Sequence, residues 1–281
     1  MKNILALFLA ISSLTAAQSF EYSESIGKFN RASSFYITAN GLIYVSDSGS
    51  DEIILLDTLG NQMNTFGGYG WDENSFDDPA DVFADPLSIY VADNNNHKIK
   101  RFDKNLNFIS SLYRRESEFL QEQFGYPLSC ATSNQGDLYF IDSENKRIMK
   151  FDIFGNFIMN FGGFDAGKYQ LTNPKQLAIS SWNYIFVIDG SDIVIFDNFG
   201  NGTNRISIDK PVNCIRILFD HMIISNGEEV YHSYLKSIDS KFTKIDLAGL
   251  EIDQKIISGI LLNNRLYILT AKKLLVFDQN N

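Results

Sequence analysis

The sequence predicts an all-β fold, a six-bladed β-propeller of four-stranded antiparallel blades whose ring is closed by the N-terminal strand pairing with the C-terminal blade. Three observations predict it. A strand-turn-strand unit recurs at the period of a propeller blade. Its strands are near-continuous runs of Val, Ile, Leu and Phe, which suits strands covered on both faces. The last copy stops one strand short, and the N-terminal region holds a segment of the missing kind.

The unit reads as an apolar strand ending in Asp, a polar turn, a second apolar strand ending in Asp, another turn, and a strand running into Phe-Gly-Gly or its remnant. It appears as LIYVSDSGSDEIILLDTLGNQMNTFGG from Leu42, SIYVADNNNHKIKRFDKNLNFISSLYR from Ser88 and DLYFIDSENKRIMKFDIFGNFIMNFGG from Asp137. The fourth copy, YIFVIDGSDIVIFDNFGN from Tyr184, has a shorter inner turn, and degenerate copies begin at Met222 and Leu266. The first Asp position is filled by Asp47, Asp93, Asp142, Asp189, Asn226 and Thr270, with spacings of 46, 49, 47, 37 and 44. Each unit needs one more strand upstream, and Pro79, Pro127, Pro174 and Pro211 mark where four of these begin. Proline suits the first residue of a strand, where its missing N–H breaks no ladder. The chain ends at Phe277-Asp278-Gln279-Asn280-Asn281, and FEYSESIG from Phe20 resembles the outermost strand NFIMNFGG of the third copy. Pairing residues 20–27 with the last copy closes the ring and removes an exposed sheet edge.

These residues resemble the NHL-repeat family of six-bladed propellers. The best local match is VADNNNHKIKRFD, Val91 to Asp103, beside the family's Asp-x-x-Asn-His-Arg-Val-Gln-x-Phe-Asp core. The resemblance covers residues 18–281 and thins in the last third. It implies the fold and is almost silent about activity.

The repeated aspartates read as structural, because a catalytic pair is needed once and these recur in blade after blade. A short carboxylate opening a turn accepts backbone N–H groups that the strand leaves unpaired. Gly60, Gly155 and Gly200 follow Asp57, Asp152 and Asp197 by three residues, the place for a positive φ. His97, His221 and His232 fall at non-equivalent blade positions, which argues against a zinc centre like that of related amidating lyases; His97 reads as a solvated turn residue. Cys130 and Cys214 each lie three residues after a blade-opening proline in non-adjacent copies, too far apart for a disulfide, so both are expected as free thiols.

Two sets of residues are the functional candidates. One slot before those cysteines stand Ser34, Asp81, Ser129, Gln176 and Asn213, with Ile257 in the sixth copy, a polar ring suited to water or a weakly held cation in the channel. Arg216 places a permanent charge beside them and needs a carboxylate, water or a ligand anion. The second set lies on the long loops before copies two, three and four: Tyr69, Trp71, Phe76, Tyr113, Arg114, Arg115, Tyr126, Phe164 and Tyr169. Loops of this length tend to carry function, and aromatics with Arg are enriched at binding hot spots. No catalytic set and no resident metal or cofactor is expected, a divalent cation in the channel being the alternative.

The 281 residues carry a formal charge of -10 and are 44% apolar, with 23 Phe and 13 Tyr. That composition excludes disorder, and the acidic balance disfavours nucleic acid. Lys2, the apolar run Ile4 to Ala10 and the small residues Thr15-Ala16-Ala17 have the form of a signal peptide cut before Gln18. The expectation is an extracytoplasmic, periplasmic or secreted, non-enzymatic propeller. It would hold a protein, peptide or glycan on its loop face, with no stable membrane span after processing. The alternative is a propeller lactonase or lyase using that channel cation.

Overall fold

The computed structural model describes residues 18–236 and 241–280, so the predicted signal segment 1–17 lies outside the described residues. Six antiparallel sheets stand around one axis, each begun on the inside by the strand after a lead-in loop. The inner strands are Ala32–Ile37, Pro79–Ala84, Pro127–Thr132, Pro174–Ile179, Cys214–Leu218 and Ser258–Leu262. Each touches the next, and the last touches the first, so the ring is closed. A single 3-10 turn, Gly167–Tyr169, is the only helical element among the described residues. No helix there is long and apolar enough to cross a membrane.

Closure follows the sequence. Ser19–Ile26 pairs antiparallel with Leu274–Gln279, Phe20 opposite Gln279 and Ile26 opposite Leu274. The sequence did not announce a fifth strand on this blade. Asp246–Ala248, from the loop after blade five, runs parallel to Ser19–Glu21 and ties blades five and six together.

The poor alternation of the strands has the expected cause. Ile43–Asp47, Ile89–Asp93, Leu138–Asp142 and Ile185–Asp189 are buried at every residue, because each sheet face packs on a neighbouring blade. The outermost strand of blade one, Gln62–Gly67, is exposed along most of its length. Packing between blades is strongly aromatic, as in Phe66, Phe76 and Phe102 between blades one and two. Cys130 and Cys214 are buried free thiols.

Candidate functional site: the lead-in loops and the axis

The repeated aspartates fix where the loops lie. The carboxylate of Asp47 accepts the amides of Asn30 and Arg31, Asp93 that of Asp77, Asp142 that of Gly125, and Asp189 those of Thr172 and Asn173. Each therefore clamps the lead-in loop of its own blade from beneath, so turns and long loops share one face of the disc. The second aspartates work at the opposite face. Asp57, Asp103, Asp152 and Asp197 each accept the amides two and four residues on and the side-chain amide of an Asn four residues on. The glycine at the third position has φ near +80° in three blades, a conformation that an L side chain resists.

The clamp is strongest under the loop before blade two. Lys100 is fully buried, 3.1 Å from Asp93, donates to the carbonyls of Asp72 (2.8 Å) and Ser75, and lies 4.7 Å from the Phe76 ring centroid. Burial pushes the Asp93 carboxyl up and the Lys100 ammonium down, while the pair and its hydrogen bonds hold both charges in place. Asn96 and Lys98 add bonds to the carbonyls of Gly70 and Trp71. The loop is thus held at four successive places, and Tyr69 and Trp71 stand about 70% exposed on it.

The loop before blade three is fixed through side chains. Arg115 and Glu144 form a bidentate pair at 2.7 and 3.1 Å, which raises the arginine and lowers the carboxyl below its usual range. The Arg115 guanidinium lies 5.7 Å from the Tyr126 ring centroid. His97 meets Tyr126 as well: its Nδ1 accepts the amide of Tyr126 at 3.0 Å and its ring packs edge-on against Tyr126. It is a positioning contact between blades rather than a solvated turn residue, and burial lowers its pKa. Arg114 donates to the carbonyl of Gly155 and lies 3.7 Å from Glu122.

The loop face brings most of the predicted set to the surface and withholds two members. Tyr69, Trp71, Tyr113, Tyr126 and Phe164 are exposed, with Arg114 and Arg115 about one-third exposed. Phe76 is fully buried against Phe66, Phe102 and Lys100, because it plugs the seam between blades one and two. Tyr169 is half-buried; it lies against Gly202 and donates to the carbonyl of Thr203, so it seals blade four. Sequence reasoning passed over Glu144, Lys98 and Lys100. The signal available was that the strand after the second-copy turn, Lys98-Ile99-Lys100, carries a lysine where its neighbours carry Ile54, Met149 and Val194.

On the axis, the polar ring is used to join blades. The Ser34 hydroxyl donates to Asp81 Oδ1 and the Ser129 hydroxyl to Asp81 Oδ2, both at 2.6 Å. The amide of Val82 reaches Ser34, that of Cys130 reaches Asp81, that of Leu177 reaches Ser129, and that of Ile215 reaches Gln176. The amide of Cys130 sits at the end of an irregularity of its inner strand, where the ladder does not fix every N–H. In blades five and six the predicted positions, Asn213 and Ile257, fall just ahead of the strands. Asn213 donates to the carbonyl of Ile256, and Cys214 and Ser258 occupy the ring itself, 3.4 Å apart.

Arg216 crosses the axis. It leaves blade five and meets Asp81 of blade two, the blade opposite, at 2.5 Å and also Ser34 of blade one. Its guanidinium lies 6.0 Å from the Tyr36 ring centroid, and its Nε has no partner among the described residues. Both Asp81 oxygens are therefore engaged by protein donors. Among the described residues no group of three or more His, Cys, Asp or Glu side chains converges as metal ligands would.

No known protein-family profile matches the chain. Over 153 residues it is 29% identical to the protein Brain tumor of Drosophila melanogaster, a match covering 52% of this chain and 14% of that protein. A second match, 24% over 189 residues, is to SUPPRESSOR OF QUENCHING 1, a chloroplastic protein of Arabidopsis thaliana, covering 56% of this chain and 18% of the other. The chain thus spans less than one-fifth of the length of these curated relatives. Among solved structures, virginiamycin B lyase from Staphylococcus aureus superposes with a TM-score of 0.66 at 11% identity, over 91% of this chain and 98% of the lyase. At that identity the likeness is one of fold, and the fold it supports is the six-bladed β-propeller.

Proposed function

We propose that the chain is an exported, non-enzymatic binding module that takes a protein, peptide or glycan partner on the loop face of blades two to four. One observation carries the reading: large aromatics stand exposed on loops whose backbones are clamped by buried charges, as the loop of Trp71 is by Asp93 and Lys100. An exposed aromatic on a fixed backbone gives up little conformational freedom on contact, which is the condition for an efficient anchor. Partial matches to two much longer proteins agree with a propeller serving as one module.

The test compares wild type with the triple variant Trp71→Ala, Arg114→Ala, Tyr126→Ala, and with a control, Phe199→Ala, on an exposed turn of the opposite face. Partners captured from the native envelope fraction are quantified by mass spectrometry. The expected outcome is a loss of about tenfold or more for the triple variant alone, with melting within about 2 °C of wild type. Equal recovery by all three proteins refutes the site.

A propeller lyase or lactonase with a divalent cation in the channel is the second reading, favoured by the fold likeness to the lyase. It requires Asp81 to exchange Arg216 for the metal, and stoichiometric metal retained after dialysis would establish it.

A further inference from the structure

Below the ring of Ser34, Asp81 and Ser129 the axis widens into a funnel of about 730 Å³ that opens on the face opposite the long loops. The volume is that of a small-molecule site. Its walls come from the inner-strand residues after the ring and from the turns that follow, in five of the six blades. Because Arg216 and Asp81 bar the axis, the funnel is blind, with Tyr36 and Phe83 packed on each other at 4.7 Å near its floor.

Two properties of the lining define what would fit. Leu42, Phe83, Ile153, Ile179 and Leu218 give it apolar walls. Into this space blade two brings two cations, Arg101 and Lys104, and neither has a carboxylate within ion-pair distance among the described residues. Arg101 donates through Nε to Ser88 and lies 5.6 Å from the Tyr90 ring centroid, so it is oriented while its terminal nitrogens make no hydrogen bond among the described residues. The rim also carries two carboxylates, each oriented by neutral protein donors: Asp85 accepts the amides of Leu87 and Ser88, and Asp220 accepts the amide and hydroxyl of Ser181. Arg101, half-buried in the funnel wall, and Lys104, exposed at its mouth, thus present cationic groups without an ion pair beside an apolar surface. Burial pushes the Tyr36 phenol up to about 12, so it stays a neutral donor.

We infer that the funnel binds a small organic acid, an apolar ring-sized body against the Tyr36 and Phe83 end with its carboxylate held by Arg101 and Lys104. Nothing in this depends on the loop face, and the two sites lie at opposite ends of the axis.

The experiment uses the full chain and three probes followed by ligand-observed and isotope-edited NMR. Naphthalene-2-carboxylate has body and charge, naphthalene-2-methanol the body alone, and acetate the charge alone. The carboxylate is expected to bind saturably, about tenfold or more tighter than the alcohol, with shifts at Phe83, Tyr90 and Thr132; acetate is expected not to saturate. Lys104→Gln, at an exposed position, should weaken the carboxylate about fivefold or more and leave the alcohol unchanged, and adding Arg101→Gln should abolish the preference. No saturable binding of the carboxylate, equal affinity for acid and alcohol, or indifference to Lys104→Gln overturns the assignment.

Discussion

Blades two and five face each other across the axis, joined by Asp81 and Arg216, and they hold their loops by different means. In blade two the turn carboxylate Asp93 reaches the lead-in loop and is paired beneath it with Lys100. In blade five the turn residue is Asn226, which among the described residues accepts only the nearby amides of Glu228 and Glu229. The outer strand shrinks to Thr243–Lys244, and Glu229 is held at the surface by Lys210 and Lys244. What steadies the loop after blade five comes from a neighbour, through Asp246–Ala248 on the N-terminal strand. A buried charge pair lets a blade carry a long loop as a fixed surface. A blade without one leans on the next.

The largest expected effect breaks the link between the two. Asp81→Ala leaves Arg216 buried without its carboxylate and should cost about 3–5 kcal/mol in chemical denaturation. Arg216→Met added to it should recover part of that loss; equal stability of single and double variants would show that the pair is not what joins the blades. Next, Asp93→Ala should cost about 3 kcal/mol, since it strands Lys100. It should also speed amide exchange selectively in residues 68–78, whereas Asn226→Ala should cost about 1 kcal/mol and act only within its own turn.

The last effect depends on pH and also lies in blade five. His221 Nδ1 and His232 Nε2 are 2.9 Å apart, and burial, then the His221 charge, lowers His232 to about 4. Its folded value is below the unfolded value near 6.5, so the unfolded chain binds the proton first. Stability from this group is complete above about pH 6.5 and is lost as pH falls towards 4, about 3 kcal/mol in total. His232→Gln should flatten that part of the stability profile; an unchanged slope between pH 6.5 and 4 would remove the histidine from the account.

The fold was legible because its signals are local and repeated. Asp93 and Asp142 announce turns, Pro79 and Pro127 announce inner strands, and the unfinished last copy announces the closure of Ser19–Ile26 on Leu274–Gln279. The site was legible in part. Exposure of Trp71 and burial of Phe76, five residues apart on one loop, depend on which aromatic the seam between blades one and two accepts, and spacing does not encode that. Arg216 demanded a partner from sequence, yet the partner is 135 residues away on the opposite blade, a pairing that only ring closure creates. The funnel left no motif, since Arg101 precedes and Lys104 lies within an ordinary turn.

The central claim is that buried carboxylates hold the loop face as a pre-formed surface. It is tested most directly by native-state amide exchange at Asp77, Gly125 and Thr172, the donors to Asp93, Asp142 and Asp189. The account predicts protection at these three loop amides approaching that of strand Ile89–Asp93, lost at Asp77 alone in Asp93→Ala. Exchange at the rate of unprotected loop amides in the wild-type protein would contradict it.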